Sequence, residues 1–211
     1  ITQAAADFPA VPGLEGDADF TIENGTLRRM IEWTVFAAAR ESTRYAINGV
    51  LWEPTAKDLV LAATDGRRLS VAKSKLHGSN TKSPHRAIVP TKAMTLFNRL
   101  TGDAEAIVAV KITSNQIILR VGRAVVSSNL VEGHFPKYQD VIPNDCDRIT
   151  EINVAEFLSA LKRAALLTNE ESKGVRLAFT EGTLTLSSRA PEQARRRFRC
   201  PHRSRASRWT S

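Results

Sequence analysis

Only two cysteines occur in the 211-residue chain, Cys146 and Cys200, far apart and without CxxC spacing. They read as free thiols of a reducing compartment, which sets aside a disulfide scaffold and a structural zinc centre. No apolar run approaches the roughly 20 residues a membrane helix needs. Nor does a basic start followed by an apolar stretch mark a signal peptide. The reading is a cytoplasmic protein with no membrane partner. An initiator Met is missing, so the chain is read as beginning in mid-protein. The phosphate-binding GxxxxGK(S/T) loop, the G-x-S-x-G elbow and any His/Cys cluster are absent too. His77, His85, His134 and Cys146 are the only candidate nucleophiles or bases, and lone loop histidines are more often simply solvated. No catalytic residue, metal ligand or cofactor is expected. Asn24-Gly25-Thr26 fits a glycosylation sequon, but without secretion it reads as a turn into a helix.

Charge is present but unevenly spread. The formal net charge is +8 and the pI is near 9.9, which invites a nucleic-acid reading. Residues 194–211, however, hold seven Arg with no Lys and no acid. Without them, residues 1–193 carry 23 basic against 22 acidic side chains. A nucleic-acid surface on this nearly neutral body must come from local segregation of charge. Two readings are open for the tail. One is a basic arm that binds phosphates; the other, preferred here, is out-of-frame translation of GC-rich DNA. Either way, disorder is expected from Ala194.

Hydrophobic periodicity predicts three helices, at about 26–40, 91–100 and 154–168. The first carries Leu27, Met30, Ile31, Thr34 and Ala38 on one face and is capped by Asn24 or Thr26. The third carries Val154, Phe157, Leu158, Leu161 and Ala165, with Asn153 and Glu156 as a capping-box-like start. Their starts are 65 and 63 residues apart. A short strand precedes each, at 19–22, 86–89 and 148–152. Three strands follow the first (45–53, 59–64, 68–73) and three the second (106–113, 116–121, 124–130). Strands at 175–180 and 183–188 begin a third set that does not finish. The repeating unit is strand, helix and three strands. Two units are expected to pack both helices on one layer of sheet. The predicted class is α+β, with helices on one face of antiparallel sheets. A complete domain is expected at 18–145 and a truncated one at 146–193.

At 100° per residue, Arg29 and Arg40 fall about 20° apart, opposite the first helix's apolar stripe. Lys92 and Arg99 are similarly placed on the second helix, and Arg163 lies opposite the stripe of the third. Taken singly, each is an ordinary solvated face. Three in register point to a phosphate-tracking surface that binds backbone rather than bases.

Four stretches resemble the bacterial replication sliding clamps, the β subunits of DNA polymerase III. Residues 43–53 (TRYAINGVLWE) resemble the segment after the first helix of the clamp's middle domain. Residues 63–69 (ATDGRRL) resemble its ATDG-x-RL hairpin. Residues 131–143 (VEGHFPKYQDVIP) resemble the connector to the third domain, and Asn169-Glu170 with 174–177 (GVRL) its opening. Residues 6–9 (ADFP) resemble the close of the first domain, which the resemblance therefore places at 1–17. The resemblance implies a processivity factor that is not an enzyme. It implies a ring of two three-domain subunits around duplex DNA, with helices lining the hole and Tyr45 added to the DNA-facing set. It also implies a pocket for short linear motifs of the polymerase III catalytic subunit, the clamp loader and repair proteins. The implied pocket positions are Ile47, Thr64, Gly66, Arg67, Arg68, Leu69, Pro136 and Val141. Asp140 departs from the basic residue often found at its position. Two other classes compete: a β-rich interaction module without a DNA role, and a hydrolase or transferase.

Overall fold

The computed structural model describes residues 14, 16–40, 46–80, 85–99, 103–143, 149–166, 168 and 174–188, and the backbone of 189 and 195–205. The chain forms two compact units, Ile1–Ile142 and Pro143–Ser211.

The first unit runs β1 (Phe20–Glu23), α1 (Asn24–Thr34), β2 (Gly49–Pro54), β3 (Asp58–Thr64) and β4 (Leu69–Lys75). After the two-residue β5 (Gly78–Ser79) come β6 (Ala87–Pro90), α2 (Thr91–Asn98), β7 (Ile107–Ile112), β8 (Gln116–Val121) and β9 (Ala124–Asn129). The expected repeat is present, but its two copies do not share one layer. Two antiparallel sheets form, in the orders β4-β3-β2-β6 and β5-β1-β7-β8-β9. Each copy lends its leading strand to the other's triplet. Phe20 of β1 pairs with Val110 of β7, and Val89 of β6 pairs with Val50 of β2. The strand orders of the halves match, and neither sheet can be completed by one repeat alone.

Alternation explains the core. Val50 and Trp52 of β2, Leu59 and Leu61 of β3 and Val89 of β6 point inward with Val108, Val110, Ile117 and Leu119 of the other sheet. Leu27, Met30 and Ile31 of α1 and Met94 and Phe97 of α2 fill the same core. Trp52 donates its indole N–H to Met94 Sδ at 3.2 Å and meets Phe97 edge-on, which ties β2 to α2.

The helices are shorter than periodicity predicts. α1 ends at Thr34, a 3₁₀ turn covers Val35–Ala37, and Ala38 is already extended. Thr34 bends its hydroxyl back to the Met30 carbonyl at 2.8 Å, a bond that competes with helix continuation. Arg40 is therefore off the helix, and its expected placement 20° from Arg29 does not hold. Neither Asn24 nor Thr26 caps α1. Asn24 is buried and donates across to the Asp103 carbonyl, while the N–H groups of Asn24 and Gly25 donate to Ala106 and Ala104, both at 2.8 Å. Backbone from the second repeat thus satisfies helix-start donors that a side chain was expected to take.

The second unit contains β10 (Ile149–Ile152), α3 (Val154–Ala165), β11 (Val175–Thr180), β12 (Thr183–Arg189) and β13 (Arg195–Arg205) in the order β10-β13-β12-β11. Asn153 caps α3 as expected, its Oδ1 accepting from the N–H groups of Ala155 and Glu156 at 3.0 and 3.2 Å. The disorder expected from Ala194 is contradicted over 195–205, while 194 and 206–211 lie outside the described residues. The backbone of 195–205 inserts between β12 and β10 and completes the third strand set. Ladder pairing is a backbone property, so two open edges can take up a strand that no hydrophobic alternation announces.

Candidate functional site

The sheet β4-β3-β2-β6 buries part of its outer face as well. Leu51, Ala62, Ile88 and Ala46 lie there under Tyr138, with Leu69, Val131 and Phe135 packed against them. All six residues of β2 are consequently buried. Two segments meet on this face: the β3–β4 hairpin and the connector at 130–142.

The hairpin is built from short-range bonds. Thr64 donates its hydroxyl to the Arg68 carbonyl at 2.7 Å and accepts the Gly66 N–H at 3.1 Å. Asp65 Oδ1 accepts from the N–H groups of Arg67 and Arg68 at 3.0 and 3.1 Å, and Oδ2 from Arg68 Nε at 3.0 Å. The Arg67 N–H, followed by the bonds and charge of Arg68, holds the Asp65 carboxyl below the usual aspartate value. Gly66 sits at φ +86°, where an L side chain would be strained. The Arg68 guanidinium also lies over the Phe36 ring at 5.6 Å, bringing the end of the first helical segment to the hairpin. Sequence reading missed Phe36, whose only signal was an aromatic off the apolar stripe.

Of the expected pocket positions, Leu69 joins the outer apolar cluster directly, and Thr64 is its cross-strand partner. Ile47 is buried just before β2, its carbonyl accepting from the Ala39 N–H at 2.9 Å. Arg67 and Arg68 are exposed, Pro136 is half-buried in the connector, and Val141 is 70% exposed. The hairpin and the flanks of Pro136 are brought together through Leu69, Phe135 and Tyr138.

The connector starts with two backbone bonds, from Leu130 N–H to Asn115 and from Val131 N–H to Ile88, both at 2.8 Å. Further along, the buried Tyr138 donates its hydroxyl to Glu53 Oε2 at 2.5 Å, and Arg86 Nε lies 2.8 Å from Oε1 of the same carboxylate. Burial, then the Glu53 bond and charge, push the Tyr138 phenol up to about 12. Phe135 meets Tyr138 edge-on at 6.3 Å. Between connector and sheet lies a cavity of about 760 Å³, bounded by Leu51, Glu53, Arg86 and Ile88 on the sheet side. Pro136 alone of the expected pocket positions lines it. Sequence reading also missed Tyr138, Glu53 and Arg86; an acid inside an otherwise apolar strand was the available signal.

Arg29 on α1, Lys92 on α2 and Arg99 at the end of α2 are exposed, and the two helices pack side by side. Asn98 donates to Glu32 at 3.5 Å across them. Their outer faces are not purely basic, since Glu32, Trp33 and Leu96 are exposed as well. Arg163 on α3 is exposed and donates to Ser159 Oγ at 2.9 Å. Tyr45 lies outside the described residues. Among the described residues no cluster of three metal-ligating side chains occurs.

Two family models match: the central domain of the DNA polymerase III beta subunit over residues 21–137, and its C-terminal domain over 139–198. The beta sliding clamp of Salmonella typhimurium is 38% identical over 192 residues, and that of Escherichia coli K12 is 37% identical over the same length. In both comparisons the alignment covers 91% of this chain and 52% of the relative, so the chain spans about half their length. The crystal structure of DNA polymerase III subunit beta from Pseudomonas aeruginosa superposes with a TM-score of 0.88 at 31% identity, over 97% of this chain and 56% of that one. The Bacillus subtilis sliding clamp gives 0.87 at 27% identity, over 97% and 55%.

Proposed function

Because the chain belongs to the DNA polymerase III beta subunit family, we propose that it acts as part of a replication sliding clamp. In this reading it is a non-catalytic cytoplasmic processivity factor. Two subunits close a ring around duplex DNA, and the polymerase III catalytic subunit, the clamp loader and other motif-bearing proteins are tethered to it. The observation that carries the reading is the meeting of the ATDGRRL hairpin with the connector on one apolar face. Leu69 offers an anchor for an apolar peptide side chain, and Arg68, steadied by Asp65 and Phe36, faces solvent where a peptide carbonyl or carboxylate would lie. Ile47, Thr64, Gly66, Arg67, Pro136 and Val141 complete the proposed groove.

DNA contact is assigned to Arg29, Lys92 and Arg99, exposed on or at the end of adjoining helices, with Arg40, Tyr45 and Arg163 as further contacts. Point charges on helices meet phosphates without reading bases, which suits sliding. The test is retention on circular DNA. A clamp stays on a closed circle through a salt wash and is lost when the circle is cut. Equal loss from circular and linear DNA would reduce the protein to an interaction module.

A further inference from the structure

We propose that Tyr138, Glu53 and Arg86 form a clasp that sets the position of the connector, making all three positioning residues for the partner groove. The proposal rests on the groove reading above. Val131, Phe135 and Tyr138 pack on the sheet, but a cavity of about 760 Å³ opens beside them, so apolar contact covers only part of the connector. The connector is pinned at its start by the Leu130 and Val131 N–H bonds and again at Tyr138. Pro136 lies between those pins, and Val141 closes the 3₁₀ turn that Tyr138 opens. Both groove residues of the connector therefore take their places from where the Tyr138 hydroxyl is held.

Glu53 is an unusual choice for that anchor. It sits in a strand whose six residues are all buried, where an apolar side chain would satisfy packing at no desolvation cost. A carboxylate adds direction on one side and charge on the other: Oε2 takes the phenol, while Oε1 lies 2.8 Å from Arg86 Nε in an ion pair without hydrogen-bond alignment. Arg86 is largely exposed, so the ion pair orients the acid from the solvent side. The clasp can release without dismantling the core, because Trp52 and Val50, the neighbouring inward residues of β2, belong to the inner cluster.

The test uses the whole chain and a fluorescein-labelled peptide copying the clamp-binding segment of the polymerase III catalytic subunit. Tyr138→Phe keeps the ring and removes the bond; peptide affinity is expected to fall roughly tenfold. Glu53→Gln still accepts the phenol proton and is expected to hold affinity within about threefold. Arg86→Ala, at a largely exposed position, is expected to lose about two- to threefold, with far-UV circular dichroism confirming that it is folded. Mobility supplies the readout that a merely structural role would not move. A nitroxide on Val141→Cys, with Cys146 and Cys200 replaced by Ser, should become freer in Tyr138→Phe, while one on Arg67→Cys should not change. Parental affinity and label mobility in Tyr138→Phe would overturn the clasp and leave the groove standing. No peptide binding by the parent chain, or indifference to Leu69→Ala, would overturn the groove reading and the clasp with it.

Discussion

Tyr138 carries the clearest single-residue consequence. Its phenol ionises near 12 in the fold and near 10 when unfolded. A pKa raised in this way adds stability that is complete below pH 10 and is lost as pH climbs from 10 towards 12. Spectrophotometric titration should therefore show one tyrosine ionising about two units late, and Tyr138→Phe should remove that late phase. A Tyr138 that titrates near 10 would contradict its burial against Glu53. Gly49 gives a second test. A Cβ there would stand 2.7 Å from the Val89 carbonyl oxygen and 2.8 Å from Ile88 Cγ2, both on the paired strand β6. Backbone cannot yield cheaply, so Gly49→Ala should cost about 2 kcal/mol in urea unfolding. A loss under about 0.5 kcal/mol would mean that β2 and β6 are less closely apposed.

Among the elements, the exchange of leading strands matters most. β1 belongs by sequence with α1 and β2–β4 but completes the sheet of β7–β9, while β6 does the reverse. The repeats therefore fold only together, and cutting 18–75 from 85–130 should leave both pieces unstructured by far-UV circular dichroism. A folded isolated half would refute this coupling. The helices present the charges. Neutralising Arg29, Lys92 and Arg99 in a closed ring should weaken retention on circular DNA. It should also flatten the salt dependence, by about one in log–log slope for each phosphate that no longer meets a cation. An effect confined to particular DNA sequences would rule out backbone contact. Phosphate binding does not explain the exposed Trp33 and Leu96 beside these cations.

For the whole molecule, the two units differ in how well they cover their apolar surface. The first has a continuous core from two sheets and two helices. In the second, Ala160, Ala164, Leu184 and Leu186 are buried, while Leu158, Leu177 and Phe179 are 47%, 43% and 41% exposed. The apolar stripe expected on α3 is not the face that is covered: Val154, Leu158 and Ala165 are exposed and Phe157 and Leu161 half-buried, while Ala160 and Ala164 meet the sheet. We therefore expect limited proteolysis to reduce the chain to a resistant core near 18–145, with cuts in 146–193 first, as read by mass measurement. A second unit that survives as long as the first would show that β13 stabilises it more than its exposed side chains suggest.

Periodicity was enough to place most elements, because a 3.6-residue stripe and a two-residue alternation are local consequences of which side chains must leave water. The 65-residue spacing and the ATDGRRL turn were legible for the same reason, since the hairpin's bonds all run between residues at most four apart. What crosses long intervals was not legible. The swap of β1 and β6, the cap of α1 by Ala104 and Ala106, and the bond from Tyr138 to Glu53 join residues that only folding makes neighbours. Arg40 left its helix for a local reason that periodicity cannot weigh, a threonine hydroxyl taking a helix carbonyl. β13 was hidden by composition, because strand pairing needs open backbone edges and not a hydrophobic pattern. Composition and pattern thus determined the parts and their order; tertiary structure decided which backbone groups paired and which charge met which.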